Sequence, residues 1–300
     1  MKDQAERLRE IINDIKGYNN ENLSNENQKK KTGTRVITVT SGKGGVGKTN
    51  FTVNLGIKLS QLGLRVVIID ADLGLANVDV VMGKMTKYNL SDVINNNKEI
   101  VEILETGPSG VKFISGGSGV QELIKLNKTQ LVDLLMKLGK LDEEADIVLI
   151  DTGAGLSDNV LSFIHAAREV ILVTTPEPTS ITDAYALIKT ISSRDKNKNI
   201  KIVVNRVDNS AEAANILDKL NVVTEKFLGI KLQKLGYIMN DNCVPKAVKQ
   251  QQPFVVSFNK SEASRNMNDI ASALINNLEA SINSVSGFRV FINRLSNIFN

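Results

Sequence analysis

The feature that most constrains this chain is a glycine-rich loop between a predicted strand and a predicted helix. Residues 42–49 have the sequence Gly-Lys-Gly-Gly-Val-Gly-Lys-Thr and fit the phosphate-loop pattern G-x-x-x-x-G-K-[ST]. The apolar segment 35–40 predicts a buried strand before the loop, and 50–60 predicts a helix after it. This arrangement points backbone N–H groups and a helix N-terminus at one spot, so it predicts a polyphosphate site.

The residue types inside the loop suit a nucleoside triphosphate. The glycines allow the main chain to approach phosphate oxygens closely, because they carry no side chain. Lys48 supplies a positive charge to the β- and γ-phosphates, and Thr49 offers a hydroxyl group to Mg²⁺. The predicted nucleotide-binding residues of this segment are Gly44, Gly45, Val46, Gly47, Lys48, Thr49 and Asn50.

A dinucleotide-binding loop is the alternative for the same residues. Gly42, Gly44 and Gly47 also fit G-x-G-x-x-G, and Asp70 ends the next predicted strand. A dinucleotide pyrophosphate is held mainly by backbone groups, however, and needs no lysine–hydroxyl pair. The Lys48-Thr49 pair therefore favours a phosphate loop.

Three aspartates are predicted to lie beside the loop. Asp70 and Asp72 come at the end of the second predicted strand, and Asp151 follows the apolar run 147–150. At such strand ends one carboxylate can orient the attacking water, and others can hold Mg²⁺ through water. The alternative is that each aspartate caps the helix that follows it. Three acids on strands that flank one phosphate loop favour the catalytic interpretation.

A second lysine in the loop, Lys43, needs its own explanation. Lys48 already serves the phosphates of its own chain. Lys43 could reach the phosphate of a facing subunit and act like an arginine finger in trans, or it could be a solvated loop residue. The sequence leaves both alternatives open.

The order of predicted elements indicates an α/β fold with a doubly wound, mainly parallel sheet. Near-continuous Val, Ile and Leu runs alternate with helical patterns through the body, residues 34–281, and such runs are typical of strands covered on both faces. The predicted strands are 36–40, 66–70, 111–114, 147–151, 170–174, 200–205 and 235–238, and the predicted helices include 128–138, 159–167, 180–192 and 211–227.

The composition narrows the functional classes. A formal net charge of +4 permits contact with an anionic surface but does not demand nucleic acid. The single cysteine, Cys243, excludes an internal disulfide and an all-cysteine metal site within one chain. No apolar stretch is long enough to span a bilayer and the N-terminus is charged, so we expect a cytoplasmic protein.

Both ends of the chain differ from the body. Residues 1–16 predict a short amphipathic helix, and 17–33 predict a flexible linker rich in Asn, Glu and Lys. Such a tethered helix either folds back on its own domain or docks on a partner. Residues 282–300 predict a hinge and an amphipathic helix, which either lies in a membrane interface or packs on the body. The apolar residues of this last helix are Phe288, Phe291, Ile292, Leu295, Ile298 and Phe299.

These motifs resemble the MinD/ParA ATPases, which carry a deviant Walker A loop. Residues 43–49 are similar to that loop, 70–72 to the second acidic motif, and 151–155 to Walker B and switch II. The segment that begins with Asn205 and Arg206 is similar to the one that meets adenine. The resemblance implies hydrolysis of ATP to ADP with Mg²⁺ in an ATP-dependent sandwich homodimer.

The resemblance also assigns roles to individual residues. It implies that Lys43 crosses the dimer interface and that Lys48 acts with it in catalysis. Asp72 is the implied water-orienting carboxylate. Asp70 and Asp151 are implied to bind the metal together with the hydroxyl of Thr49. The same two aspartates are implied to take part in the switch.

The two ends narrow the resemblance to the FlhG family of flagellar MinD-like ATPases. Residues 3–9 match its D-Q-A-x-x-L-R segment, and 116–123 are also similar. This implies an N-terminal segment that stimulates FlhF, a signal-recognition-type GTPase, and a C-terminal helix that binds an anionic inner membrane face in the ATP dimer. Contact with flagellar switch-complex proteins is also implied. One departure is Ile238-Met239, where MinD-like chains commonly have Ile-Pro. The implied docking residues for the GTPase are Asp3, Gln4, Ala5, Leu8 and Arg9.

Two functions of different classes fit these features. The first is an ATPase switch that regulates the placement or number of flagella; the second is a nucleotide-gated scaffold with incidental hydrolysis, which acts through its N-terminal segment. A positioning ATPase for another cargo is a variant of the first. DNA partitioning would need a basic patch that the linear sequence does not show. An iron–sulfur carrier would have only the thiolate of Cys243 in each subunit.

Overall fold

The computed structural model describes residues 33–72, 77–95, 97–116, 128–276 and 287–299. Among these residues eight strands form a single sheet with helices on both faces. The predicted doubly wound α/β architecture is therefore confirmed. The strands are β1 Arg35–Ser41, β2 Val66–Ala71, β3 Glu105–Thr106, β4 Lys112–Ile114, β5 Ile147–Ala154, β6 Glu169–Thr174, β7 Asn199–Val207 and β8 Gln233–Met239.

The sheet has the strand order β3-β4-β2-β5-β1-β6-β7-β8. Every neighbouring pair is parallel except β3 and β4, which form a short antiparallel edge that the sequence did not predict. The central strands β2, β5 and β1 end side by side. Asp151 on β5 is in register with Asp70 on one side and with Val39 on the other, so the predicted acids and the phosphate loop meet at one edge.

Helices cover both faces of the sheet. The first face carries α1 and α11, and the second carries α4, α6, α7, α8 and α12. None of the described helices has the length and apolar character that crossing a bilayer requires. The helices are α1 Lys48–Gln61, α2 Val78–Met82, α3 Leu90–Ile94, α4 Lys128–Leu138, α5 Leu141–Glu144, α6 Asp158–Ala166, α7 Pro178–Arg194, α8 Ser210–Leu228, α9 Cys243–Lys249, α10 Phe254–Ser257, α11 Glu262–Asn276 and α12 Phe288–Phe299.

Alternation along β1 shows how the sheet is buried on both sides. Ile37 and Val39 belong to the apolar cluster of the first face, whereas Val36 belongs to that of the second. Successive side chains of a strand point to opposite faces, so an unbroken apolar run serves both layers. Burial of one such side chain stabilises the fold by roughly 1.5–3 kcal/mol.

The C-terminal helix α12 packs on the second face of the sheet. Its residues Phe288, Phe291, Ile292 and Leu295 are between 1% and 6% exposed. Phe291 stacks on Phe163 of α6, with ring centroids 6.5 Å apart. Of the two alternatives for this helix, the structure shows packing on the body rather than a free amphipathic surface. The helix lies in an apolar groove formed by α4, α5 and α6, whose buried residues belong to the same apolar cluster as its own.

Two further features concern the C-terminal end of α12 and the segment before it. Ile298 is 39% exposed, so the apolar contact weakens toward the C-terminal end of the helix. The helix ends at Phe299. The predicted hinge residues 282–286 lie outside the described residues.

Candidate nucleotide site

The phosphate loop connects β1 to α1 in a conformation that requires glycine at its last position. Gly47 has a φ of 92°, and a Cβ atom there would lie 2.6 Å from Nδ2 of Asn205. Asn205 donates from that same amide nitrogen to the carbonyl oxygen of Val46 at 2.8 Å. A residue predicted to meet adenine therefore also holds the phosphate loop, and a side chain at Gly47 would break this contact.

Asp151 at the end of β5 is the centre of the polar contacts behind the loop. Its carboxylate accepts hydrogen bonds from Lys48 Nζ at 3.0 Å and from Thr49 Oγ1 at 2.6 Å. Thr52 Oγ1 donates to the same group at 2.9 Å. Asp151 is 1% exposed, so this pair of opposite charges is buried. The structure thus brings together the predicted lysine, hydroxyl and acid, and adds Thr52, which the sequence motif does not include.

Asp70 lies on β2, next to Asp151 of β5, and its side chain binds the backbone of the residues that follow it. Its carboxylate accepts hydrogen bonds from the backbone N–H groups of Asp72, Asn77 and Val78, at 3.1, 2.8 and 3.0 Å. Burial, and then the charge of Asp151, raise the pKa of Asp70 to about 6, although these hydrogen bonds act in the opposite direction. The observed contacts of Asp70 therefore match the capping alternative, because Val78 begins α2.

The donor set at this edge fits Mg²⁺. The Thr49 hydroxyl and the carboxylates of Asp151 and Asp70 are the hard oxygen ligands that this ion prefers. Two adjacent acids also raise the cost of ionisation, which a bound cation would reduce. Within the described ranges, no three His, Cys, Asp or Glu side chains converge on one metal site. Phosphate oxygens and water would therefore have to complete the shell.

Asp72 faces the switch II segment across the site. Its Oδ1 lies 3.5 Å from the position that a Cβ atom on Gly153 would occupy. The carboxylate is half-buried and stands just before residues 73–76, which lie outside the described residues. The role of Asp72 in orienting water stays a prediction, which hydrolysis by Asp72→Ala would test.

Lys43 is held within its own chain. Its Nζ lies 3.0 Å from Glu177 Oε2 and 3.0 Å from Thr179 Oγ1, at the N-terminus of α7. Neither alternative from the sequence, a lysine in trans or a solvated lysine, describes this contact. The ion pair is exposed, and such pairs contribute about 0–1 kcal/mol to stability. Lys43 can therefore leave Glu177 for another anion at low cost in free energy.

A cavity of about 540 Å³ opens beside the phosphate loop. Asn205 and Arg206, the residues predicted to meet adenine, line it, and Arg206 has a left-handed backbone with a φ of 60°. Its size suits a purine base and sugar. The other lining residues are Gly47, Asn50, Phe51, Ile238, Met239, Asn240, Asp241, Val244, Pro245, Val248, Lys249 and Phe254.

The departure at Met239 has a structural counterpart in this cavity wall. The backbone N–H of Met239 donates to Oδ1 of Asn266 on α11 at 3.1 Å. A proline at this position has no N–H to donate. The Met239–Asn266 contact therefore anchors the loop to α11 in a way that a proline would not permit.

Not every predicted site residue lies at this edge. The apolar residues of α12 pack elsewhere, against α4, α5 and α6. The similar segment 116–123 is described only at Gly116. The predicted docking residues Asp3, Gln4, Ala5, Leu8 and Arg9 lie outside the described residues.

The sequence is similar to those of flagellar and P-loop proteins. Residues 32–275 match the ParA family, described as "NUBPL iron-transfer P-loop NTPase". The antiactivator FleN of Pseudomonas aeruginosa is 44% identical over 230 residues, which cover 77% of this chain and 82% of FleN. The flagellum site-determining protein YlxH of Helicobacter pylori is 32% identical over 268 residues, which cover 88% of this chain and 90% of YlxH.

Solved structures of cell-division proteins share the fold. A chain of the MinC:MinD complex of Aquifex aeolicus matches with a TM-score of 0.65 at 25% identity, over 81% of this chain and 96% of that one. The septum site-determining protein MinD of Pyrococcus horikoshii, solved with Mg-ADP, has a TM-score of 0.66 at 24% identity. That match covers 84% of this chain and 100% of the MinD chain.

Proposed function

Because the chain belongs to the FleN/YlxH (FlhG) branch of the MinD/ParA family of P-loop ATPases, we propose that it is an ATP-driven dimerisation switch that regulates the placement or number of flagella. ATP hydrolysis is the activity of the family. The switch mechanism is supported by one observation: two features that would contact other molecules in a membrane-bound dimer are engaged within the chain here. Lys43 is paired with Glu177, and the apolar face of α12 is buried on the body.

The chemistry of hydrolysis follows from the contacts behind the phosphate loop. Lys48 leaves Asp151 and binds the β- and γ-phosphates, which offer it a stronger anion. Asp151, no longer paired with the lysine, would hold Mg²⁺ together with the Thr49 hydroxyl and Asp70. The bound ion would neutralise charge on the phosphates. Asp72 orients the attacking water.

Dimerisation would use the second lysine of the loop. When a partner subunit approaches, Lys43 exchanges the exposed carboxylate of Glu177 for the partner's ATP phosphates. A phosphate carries more charge than one carboxylate, and the interface excludes water, so the exchange is favourable only with nucleotide present. The γ-phosphate is then the differential contact on which the switch depends.

Membrane binding by α12 requires that the helix leave the body. The same apolar side chains cannot be buried in the groove and in lipid at once, so the two states compete. Burial of the four apolar side chains in lipid offsets the free energy lost when they leave the groove. A modest preference of the dimer for the undocked helix would therefore shift the equilibrium toward the membrane. Arg289 and Arg294 on the polar side of the helix would then meet anionic headgroups at an inner membrane face.

Vesicle co-sedimentation tests this switch. Wild type is mixed with phosphatidylglycerol-containing vesicles and ATP, ADP or no nucleotide, beside a chain that ends before Gly287 and the variant Lys43→Ala. We expect wild type to pellet with ATP alone, and both altered proteins to stay in the supernatant with ATP. Equal pelleting in all three nucleotide states, or pelleting of the shortened chain, would contradict the proposal.

We further propose that residues 1–16 dock on a signal-recognition-type GTPase of the FlhF kind, and that the ATP form contacts flagellar switch-complex proteins. The first proposal is supported by the match of residues 3–9 to the D-Q-A-x-x-L-R segment. Deletion of residues 1–16 should abolish stimulation of the partner's GTP hydrolysis and leave ATP hydrolysis unchanged. Equal stimulation by the shortened protein would rule the docking role out.

A further inference from the structure

The N-terminus of α12 is capped by a side chain from a distant part of the chain. The backbone N–H of Phe288 donates to Asp142 Oδ1 at 2.5 Å, and that of Arg289 donates to Oδ2 at 3.3 Å. Asp142 lies on α5, 146 residues before Phe288. Gly287, which directly precedes the helix, has no side chain with which to cap it. The first N–H groups of a helix need acceptors, and here the body supplies them.

This cap differs in kind from the other contacts of the docked helix. The buried residues Phe288, Phe291, Ile292 and Leu295 make apolar contacts, which have little directional preference. The Asp142 carboxylate instead requires the N-terminal N–H groups at a defined position, and its charge interacts favourably with the helix dipole. It therefore fixes the N-terminal end of α12 on the body.

The segment that carries Asp142 is attached to the two central strands. Leu141 is fully buried in the same apolar cluster as Phe288. Thr34, directly before β1, donates from Oγ1 to the carbonyl oxygen of Ala145, two residues before β5, at 2.8 Å. The opposite ends of β1 and β5 carry the phosphate loop and Asp151. The cap thus stands at the base of the two strands that hold the nucleotide site.

We infer that Asp142 is the latch of the C-terminal helix: a tertiary N-cap that holds α12 on the body and sets how often the helix undocks. The physiological meaning of undocking rests on the proposed function, whereas the latch itself concerns only the helix and the body. Loss of an N-cap is expected to raise the undocked population about five- to thirtyfold.

Hydrogen–deuterium exchange of the α12 amides tests the latch without nucleotide or vesicles. Asp142→Ala should speed exchange across Phe288–Leu295 about five- to thirtyfold relative to wild type. Glu143→Ala is the matched control, because it removes the adjacent, exposed carboxylate of the same helix and should leave exchange unchanged. Equal exchange in Asp142→Ala and wild type, or equal acceleration by Glu143→Ala, would overturn the inference.

A second variant approaches the latch from the other side. A Cβ atom on Gly287 would lie 2.7 Å from Asp142 Oδ2, so Gly287→Ala should displace the carboxylate and also speed exchange. If both changes act on one contact, the double variant should exchange no faster than Asp142→Ala alone. Additive acceleration would mean that Gly287→Ala acts elsewhere and would count against the latch.

Vesicle binding separates this inference from the proposed function. Asp142→Ala should bind phosphatidylglycerol vesicles without nucleotide about five- to thirtyfold more than wild type, if the released helix inserts into lipid. Faster exchange without added vesicle binding would support the latch and refute membrane insertion. Unchanged exchange, with wild type still pelleting in ATP, would refute the latch and leave the switch intact.

Discussion

Replacing Asp70 by asparagine is expected to change how the stability of the protein depends on pH. Asp70 is 1% exposed and lies in register with Asp151 across neighbouring strands. Burial, followed by the charge of Asp151, raises its pKa from an ordinary 3.8 to about 6. In the nucleotide-free protein its ionised form is therefore disfavoured by the site itself.

The sign of the effect follows from proton binding. Between about pH 4 and pH 6 folded Asp70 retains a proton that the unfolded chain releases, so the free energy of unfolding falls as pH rises through this window. A pKa that rises from 3.8 to about 6 corresponds to about 3 kcal/mol in full. About 2 kcal/mol of this falls between about pH 4.5 and pH 7.5.

Urea unfolding followed by circular dichroism measures the effect, since the chain has no tryptophan for fluorescence. As the pH rises from about 4.5 to about 7.5, without Mg²⁺ or nucleotide, the free energy of unfolding of Asp70→Asn should increase by about 2 kcal/mol relative to that of wild type. Lost hydrogen bonds to the Asn77 and Val78 N–H groups lower its stability by a constant amount, which cancels in this comparison.

Other acids must be controlled for. Hydrogen bonds and ion pairs lower the pKa of Glu169, despite its burial, and that of Asp146, so these groups act in the opposite direction. They act equally in both proteins and cancel. Glu143→Gln, which removes an exposed carboxylate, serves as the control variant. A stability difference between Asp70→Asn and wild type that does not vary with pH would refute the reasoning.

Three further outcomes are expected. Asp72→Ala should keep ATP binding, lose about a hundredfold or more in hydrolysis and stay on vesicles with ATP; a wild-type rate would show that another group orients the water. Lys43→Ala removes an exposed pair with Glu177 worth at most about 1 kcal/mol, so its melting temperature should change little while light scattering shows no ATP dimer. Phe291→Ala should weaken docking by about 3–5 kcal/mol and speed amide exchange across Phe288–Phe299; unchanged exchange would contradict the docked helix.

The parts of the fold that could be predicted depend on contacts between near neighbours in sequence. The phosphate loop is one such case, because its glycines set the backbone conformation within a few residues of Lys48 and Thr49. Buried strands were also predictable, because both faces of each strand are covered and the apolar run is unbroken. The two-residue strand Glu105–Thr106 has no such pattern, and only its pairing with β4 defines it.

Contacts between distant segments could not be predicted in the same way. Glu177 and Thr179 are common residue types in no motif, and Pro178 between them signals only that a helix begins. The C-terminal helix is a different case, since the same amphipathic pattern suits a membrane or a protein groove. The groove is specified by Phe163 and Asp142, more than a hundred residues earlier in the chain, and neither signals it alone.

The strand order also affects how the chain folds during its synthesis at the ribosome. The phosphate loop is made early, yet β1 pairs only with β5 and β6, which end at Ala154 and Thr174. At about 5–20 residues per second, the loop emerges on the order of ten seconds before its strand has both neighbours. During that interval the nascent chain carries a nucleotide motif without a nucleotide site. The apolar β1 segment lacks its sheet neighbours during the same interval, and unpaired apolar strands of this kind are prone to aggregate unless chaperones shield them.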